Sequence, residues 1–260
     1  MTGPSPKKSL GQHWLYDKDS LEAICAAGEL IQSDTVLEIG PGLGTLTALL
    51  TDKVDSVVAV EFDSSLADDL PNRVRAKNLT VYQQDILTFN LNNLHKGYKI
   101  IANIPYYLTS NLIRVISESA NPPSRAVLLV QREVAQRVAA EPGDMSLLSV
   151  SAQFYWKVST GIEVPAEMFT PPPKIDSQIL ILDRRPADLF PDVVKQAFFR
   201  LVKAGFSSRR KTLLNSLSAG LRLSRQATTE VLSEADISTG LRPQELSLAE
   251  WHAIYKAMKK

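Results

Sequence analysis

Two short stretches of this 260-residue chain hold residue types that do chemistry together. The first is Val36-Leu-Glu-Ile-Gly-Pro-Gly-Leu-Gly-Thr45, where a hydrophobic run enters Gly40-x-Gly42-x-Gly44. Glycines at this spacing let the backbone turn tightly and let a ligand approach closely. A dinucleotide fingerprint, Gly-x-Gly-x-x-Gly, would place its third glycine at position 45, which is Thr45. Pro41 also removes an N–H donor that a pyrophosphate would need. The loop therefore suits a ligand without phosphates. Carboxylates follow in order. Glu61 closes the next apolar run, at the spacing where an acid chelates ribose hydroxyls. Asp85, in Gln83-Gln84-Asp85-Ile86, is placed to accept a hydrogen bond from an adenine amino group. Glu38 lies inside the first run, where it can hold the loop or meet an ammonium. Any one of these acids alone reads as a surface residue at a strand end. The ordered set behind a glycine loop points to ribose, adenine and an amino acid without phosphate, which is S-adenosylmethionine.

The second stretch is Asn103-Ile104-Pro105-Tyr106. Asn and Pro are ordinary turn residues, but a tyrosine in a tight turn asks for a stacking partner. An exocyclic adenine amine is a poor nucleophile because its lone pair is delocalised into the ring. The Asn103 side-chain oxygen and the Ile104 or Pro105 carbonyl can accept its two N–H groups and aim the lone pair at a methyl. Tyr106 would stack on the base. Alignment then carries much of the effect, and the base must leave any stack to reach such a pocket.

The elements needed to position these residues are legible. Strands are expected over Thr35–Ile39, Ser56–Glu61, Leu79–Tyr82, Lys99–Ala102 and Ala126–Gln131, separated by helical patterns over Leu43–Thr51, Ser64–Arg75, Thr109–Glu118 and Glu133–Ala140. That alternation implies βαβ units and a mainly parallel sheet, an α/β class of Rossmann-like type, with the ligand residues at its carboxyl edge. Lys157–Val164 and Ser177–Leu182 read as an antiparallel edge pair. After Asp183-Arg-Arg-Pro186 only helical periodicity remains: Asp192–Ala204, Arg209–Leu221, Ser224–Ser233 and Leu248–Met258, with Ser224 and Ser247 as N-caps. The expected division is a ligand-binding α/β domain over residues 1–185 and a small helical domain over 186–260.

The net charge of +1 hides an asymmetry. Residues 1–182 carry 15 basic and 20 acidic side chains, whereas residues 183–260 carry 14 and 8. Lys195 to Arg225 holds eight basic residues and no acid, which points to a surface for phosphate backbone. The single cysteine, Cys25, fits a reducing compartment and sits in a helical core pattern. His95 and His252 are isolated and read as surface or packing residues, and no Cys/His cluster has metal-ligand spacing, so no metal is expected. Phe154, Tyr155 and Trp156 read as core. With no signal peptide and no long apolar run, a soluble cytoplasmic protein without a membrane partner is expected.

The chain resembles the KsgA family of small-subunit rRNA adenine N6,N6-dimethyltransferases over nearly its whole length. The resemblance is carried by Lys8-Ser-Leu-Gly-Gln-His-Trp-Leu15, Val36–Gly44, Val60-Glu61, Gln84-Asp85, Asn103–Tyr106, Phe169-Thr-Pro-Pro-Pro-Lys174 and Phe206-Ser-Ser-Arg-Arg-Lys-Thr212. It implies transfer of methyls from S-adenosylmethionine to N6 of two adjacent adenines, in a hairpin near the 3′ end of small-subunit rRNA, during ribosome biogenesis. It places cofactor contacts on His13, Leu15, Gly40, Gly42, Glu61, Asp85 and Asn103, and chemistry on Asn103, Pro105 and Tyr106. It assigns RNA contacts to the helical domain and to Arg209, Arg210 and Lys211, with the immature small subunit as partner and a monomeric enzyme. His13 stands where the family more often has Asn, and is expected to donate a hydrogen bond instead. Trp14 stands where it more often has Phe, and the Pro142–Leu148 turn is shorter than the family's. The large-subunit enzyme of macrolide resistance shares the Asn-Ile-Pro-Tyr turn, and Phe206–Lys211 favours the small-subunit type. A non-catalytic assembly factor and a nucleotide-dependent oxidoreductase are the readings from other classes. Pro41 and Thr45 speak against the latter.

Overall fold

The computed structural model describes residues 6–7, 10–208 and 210–259. The chain runs through β1 (Trp14–Leu15), α1 (Lys18–Ala27), β2 (Thr35–Ile39), α2 (Thr45–Lys53), β3 (Ser56–Glu61), α3 (Ser64–Val74), β4 (Leu79–Gln83), β5 (Lys99–Asn103), α4 (Thr109–Glu118), β6 (Arg125–Gln131) and α5 (Arg132–Val138). It continues through α6 (Leu147–Tyr155), β7 (Trp156–Val164), β8 (Phe169–Thr170), β9 (Ser177–Arg184), α7 (Lys195–Gly205), α8 (Leu213–Leu221), α9 (Arg225–Glu234) and α10 (Leu248–Ala257). Two compact units result, one of residues up to Ala135 with Lys157–Arg184, the other of Gln136–Trp156 with Arg185–Lys260.

The first unit is built on a seven-stranded sheet in the order β4-β3-β2-β5-β6-β9-β7. The pairs from β4 to β6 are all parallel, and β9 runs antiparallel to β6. The central strands are continuous apolar runs because helices cover both faces, so Val36, Leu37, Ile100, Ile101, Val127 and Leu128 are all fully buried. Leu21, Ile24 and Cys25 of α1 and Leu46 and Leu50 of α2 cluster with Val36, Ile101 and Val127 on one face. Burial pushes the Cys25 thiol up to about 12, so it behaves as a small hydrophobe. The chain leaves β2 for β3 and β4 on one side and returns to lay β5 and β6 on the other. At such a reversal the connections diverge and leave a crevice at the strands' carboxyl ends.

β9 and β7 are neighbours at one edge of the sheet, as the sequence reading expects, and β9 joins that pair to β6. Two features differ from the sequence reading. β1 and β8 form a separate two-stranded antiparallel pair, too short to have any sequence periodicity. The helical pattern around Cys25 is α1, whereas α6 has no expected counterpart, and it precedes the expected boundary at residue 185 yet packs with the C-terminal helices.

In the second unit, Phe154, Phe198, Leu201, Trp251 and Ile254 form the buried interior. Ser224 caps α9 by accepting from Ala227 N–H at 3.0 Å. Ser247 caps α10 in a reciprocal box with Glu250. The short Pro142–Leu148 turn is anchored by the Gln244 carbonyl, which accepts from Gly143 N–H at 2.9 Å and Met145 N–H at 3.1 Å. No helix among the described residues is long and apolar enough to cross a membrane.

Candidate active site

A single cleft in the first unit gathers the chemistry-bearing residues. Its walls are the carboxyl ends of β2, β3 and β5, the turn after β4, and the segment Leu10–Leu15. His13, Leu15, Gly40, Gly42, Glu61, Asp85, Asn103, Pro105 and Tyr106 all line it. Arg210 and Lys211 are exposed between α7 and α8 of the other unit, and Arg209 lies outside the described residues.

The glycine loop is held by its own backbone. Gly40 N–H donates to the Val60 carbonyl at 2.9 Å and Gly44 N–H to the Pro41 carbonyl at 2.9 Å. Gly44 sits at φ +83°, and a Cβ there would lie 2.8 Å from Val74 Cγ2 and 2.9 Å from Leu70 Cδ1. Only glycine meets both demands, the left-handed turn and the close approach to α3.

Glu61 is buried and already engaged. Its Oε2 accepts from Gly42 N–H at 3.1 Å and its Oε1 from Asp63 N–H at 2.9 Å. Burial raises its carboxyl above the ordinary range, and these backbone donors oppose the shift. Glu61 thus ties the loop to β3 and retains lone pairs for a ligand. Asp63 was not singled out in the sequence, although an Asp before Ser64 is an N-cap signal. It caps α3 through Ser65 N–H and pairs with Lys7 Nζ at 2.7 Å. The lysine holds its carboxyl down, to about 2.

Glu38 is only 1% exposed, and its Oε2 has no hydrogen-bond partner. Burial pushes its carboxyl up to about 8. A buried acceptor left unpartnered is costly, and here it belongs to the cavity wall. Asp85 Oδ1 accepts from Leu87 N–H at 2.9 Å, which fixes the carboxylate at the wall.

The Asn103 turn is oriented from the N-terminal segment. Asn103 Nδ2 donates to the His13 carbonyl at 3.3 Å, which leaves Oδ1 as the free acceptor of the amide. The Pro105 carbonyl accepts from Leu108 N–H at 3.0 Å, so the Ile104 carbonyl is the less committed of the two. The Tyr106 hydroxyl shares a 2.7 Å hydrogen bond with Ser177 Oγ, and burial raises that phenol. Thr45 Oγ1 donates to the Leu15 carbonyl at 3.0 Å, joining the same segment to the start of α2. His13 does donate a hydrogen bond, and its partner is within the protein: Nδ1–H donates to the Pro171 carbonyl at 2.6 Å. No sequence signal links residues 13 and 171, because the β1·β8 pairing alone brings them together.

The donor set tests what the cleft could hold. Glu38, Glu61 and Asp85 line it, with no lysine or arginine among the described residues. Phosphates would be repelled, while a cationic, phosphate-free nucleoside is matched in charge and hydrogen bonding. S-adenosylmethionine meets that description. The model for "Ribosomal RNA adenine dimethylase" matches residues 4–260.

The chain belongs to the ribosomal RNA adenine dimethylase family.

Curated relatives agree. "Ribosomal RNA small subunit methyltransferase A" of Dehalococcoides mccartyi is 40% identical over 249 residues, covering 94% of this chain and 86% of the relative. The protein of the same name from Pelotomaculum thermopropionicum is 40% identical over 269 residues, covering 97% and 91%. Among solved structures, a dimethyladenosine transferase from Plasmodium falciparum superposes with TM-score 0.81 at 26% identity, covering 95% of this chain and 98% of that one. The 23S rRNA methyltransferase ErmE gives TM-score 0.78 at 26% identity, covering 95% and 100%. This dimethylase is therefore an rRNA adenine dimethyltransferase by family, on a methyltransferase fold.

Proposed function

We propose that this enzyme dimethylates N6 of two adjacent adenines in the 3′-terminal hairpin of small-subunit rRNA, acting as a cytoplasmic monomer on the immature subunit during ribosome biogenesis. The observation that carries the reading is the Asn103 carboxamide, oriented by the His13 carbonyl on an acid-lined cleft.

When bound, S-adenosylmethionine supplies a methyl carried on a sulfonium. Gly40 and Gly42 let the loop backbone approach it, and Leu15 closes the wall opposite. Glu61 takes the ribose hydroxyls on the lone pairs its backbone donors leave open. Asp85 accepts from the cofactor's adenine amine, and the exposed Phe62 ring offers that purine a flat face. Glu38, whose carboxyl burial holds protonated near neutral pH, would supply countercharge on giving up its proton as the cationic ligand enters. His13 lies at the same wall.

The target adenine enters against Tyr106. Asn103 Oδ1 and the Ile104 carbonyl accept its two N6–H groups, and Pro105 sets the turn that spaces them. Holding the amine on fixed acceptors in line with the methyl supplies orientation without a strong base. The exposed Lys195, Arg200, Lys203, Arg210, Lys211, Arg222 and Arg225, with Arg209, supply phosphate contacts.

The test is to incubate purified protein and S-adenosylmethionine with immature small subunits and, separately, with large-subunit rRNA, then map dimethyladenosine. Paired dimethyladenines in the small-subunit hairpin are expected. Modification of large-subunit RNA alone would overturn the substrate assignment.

A further inference from the structure

The Tyr106 ring, on which the target base would stack, is pinned at two points. Its hydroxyl shares a 2.7 Å hydrogen bond with Ser177 Oγ. Its ring lies nearly parallel to the His13 imidazole, at 15°, with centroids 6.0 Å apart. The two pins act differently. A tyrosine hydroxyl lies on the axis about which the ring turns, so Ser177 fixes where that axis points. The parallel imidazole limits rotation about the axis, and it is itself held by the Pro171 carbonyl at 2.6 Å.

The serine is a rigid anchor. It is fully buried, opens β9 and lies in register with Gln131 of β6. The residue before it is fixed twice. The Asp176 carbonyl accepts from Arg132 N–H at 3.0 Å, and Asp176 Oδ1 accepts from Ala166 N–H at 3.0 Å. Tyr106, by contrast, belongs to the turn after β5 and is only half-buried. A functional side chain on a turn needs support from a rigid element to hold its geometry. The Tyr106–Ser177 bond supplies that support from the sheet.

The same bond limits what the hydroxyl can do. Burial holds the phenol above its ordinary range, so it is a poor proton donor at neutral pH and is not a phenolate base. Its hydrogen bond is made to Ser177 within the protein. What remains for it is orientation, the term on which an in-line transfer most depends.

We infer that Ser177 is a positioning residue for methyl transfer: through the Tyr106 hydroxyl it holds the stacking ring, and with it N6 of the target adenine, in line with the methyl. The Tyr106 hydroxyl is then an anchor with no share in proton transfer. This rests on the reading of Tyr106 as the platform for the target base.

A double-mutant cycle tests it, using Ser177→Ala, Tyr106→Phe and the two together. Tyr106→Phe keeps the ring and removes only the anchor. Single-turnover methyl transfer is followed at saturating S-adenosylmethionine and immature small subunits. Each single variant should transfer about 3–10-fold more slowly, the scale of one hydrogen bond. The double variant should be no slower than the slower single one, because both changes remove the same interaction. The concentration of subunits that half-saturates the rate should not move, nor should cofactor affinity by calorimetry. That last readout separates positioning from folding. A serine needed only for the fold would loosen residues 169–177, and with them the β1·β8 pair and the His13 contact at the cofactor wall. Cofactor affinity would then fall with the rate, and the proposal would be overturned. A wild-type rate in Ser177→Ala, or factors that multiply in the double variant, would overturn it as well. So would a Tyr106→Phe loss far exceeding that of Ser177→Ala, since the hydroxyl would then be doing chemistry. Wild-type protein that binds cofactor and subunits but transfers nothing would overturn the adenine reading itself, and this role with it.

Discussion

The two units use charge in opposite ways. The sheet unit carries 15 basic and 19 acidic side chains, and the helical unit 14 and 9. In the sheet unit the decisive acids are turned inward. Glu38 and Glu61 are buried, and Asp63 is sealed under Lys7. In the helical unit the decisive bases are outside, with Arg210 and Lys211 exposed above an interior of Phe198, Leu201 and Trp251. Inward charge is costly unless a ligand or hydrogen bond answers it, so it is placed group by group. Outward charge is solvated and acts through its sum, which suits a polyanion. A near-neutral total therefore conceals two recognition tasks of different kinds.

That contrast can be broken from either side. The largest effect is expected from Asn103→Ala, which removes the oriented acceptor. Methyl transfer should fall by about 10²–10³-fold, the scale set by loss of one preorganised hydrogen-bonding group. RNA affinity should stay unchanged in a filter-binding assay, and a parallel loss would mean the units are not separate in task. Next is Glu61→Ala, which frees Gly42 and removes the ribose acceptor. Calorimetry should show S-adenosylmethionine binding weakened by about 10–100-fold, as for lost hydrogen bonds to a charged group, again with RNA binding intact. On the other side, neutralising Arg210 and Lys211 together should weaken RNA binding several-fold and flatten its log–log salt slope by about 2, with cofactor affinity unmoved. An unaltered slope would remove these residues from the RNA surface.

The smallest effect concerns Glu38. Its carboxyl, at about 8 in the folded protein, lies above its unfolded value. Folding therefore holds a proton that unfolding releases, so this contribution is complete at acid pH and lost as pH rises through about 8. Glu38→Gln should match wild type in thermal stability near pH 5 and exceed it near pH 9, by about 2–4 °C for each kcal/mol. The same variant should bind the cationic cofactor less well, separating the group's cost to the fold from its use to the site.

The sequence was most readable where local physics decides. A fully apolar run such as Ala126–Val130 reads as a covered strand, and the Gly40–Gly44 loop, Ser224 and Ser247 declare their turns and caps directly. Placement of Glu61, Asp85 and Asn103 on one cleft followed from Glu61 and Asn103 ending strands, and Asp85 following one, on the same sheet edge. What escaped depends on distant residues. The β1·β8 pair, the His13–Pro171 contact and the Lys7–Asp63 pair join segments with no periodic signal between them. The allotment of α6 to the helical unit is of the same kind, because it rests on packing against residues more than forty positions later.

The stitching of Trp14 and Leu15 to Thr170 and Phe169, of His13 to Pro171, and of Tyr106 to Ser177 has a consequence for how the protein is made. The glycine loop and its acids lie within the first 85 residues, but the wall that orients Asn103 is complete only when residues 169–177 are in place. The methylating half of the cleft therefore waits until two-thirds of the chain has been synthesised, so competence is tied to a late stretch of the sequence.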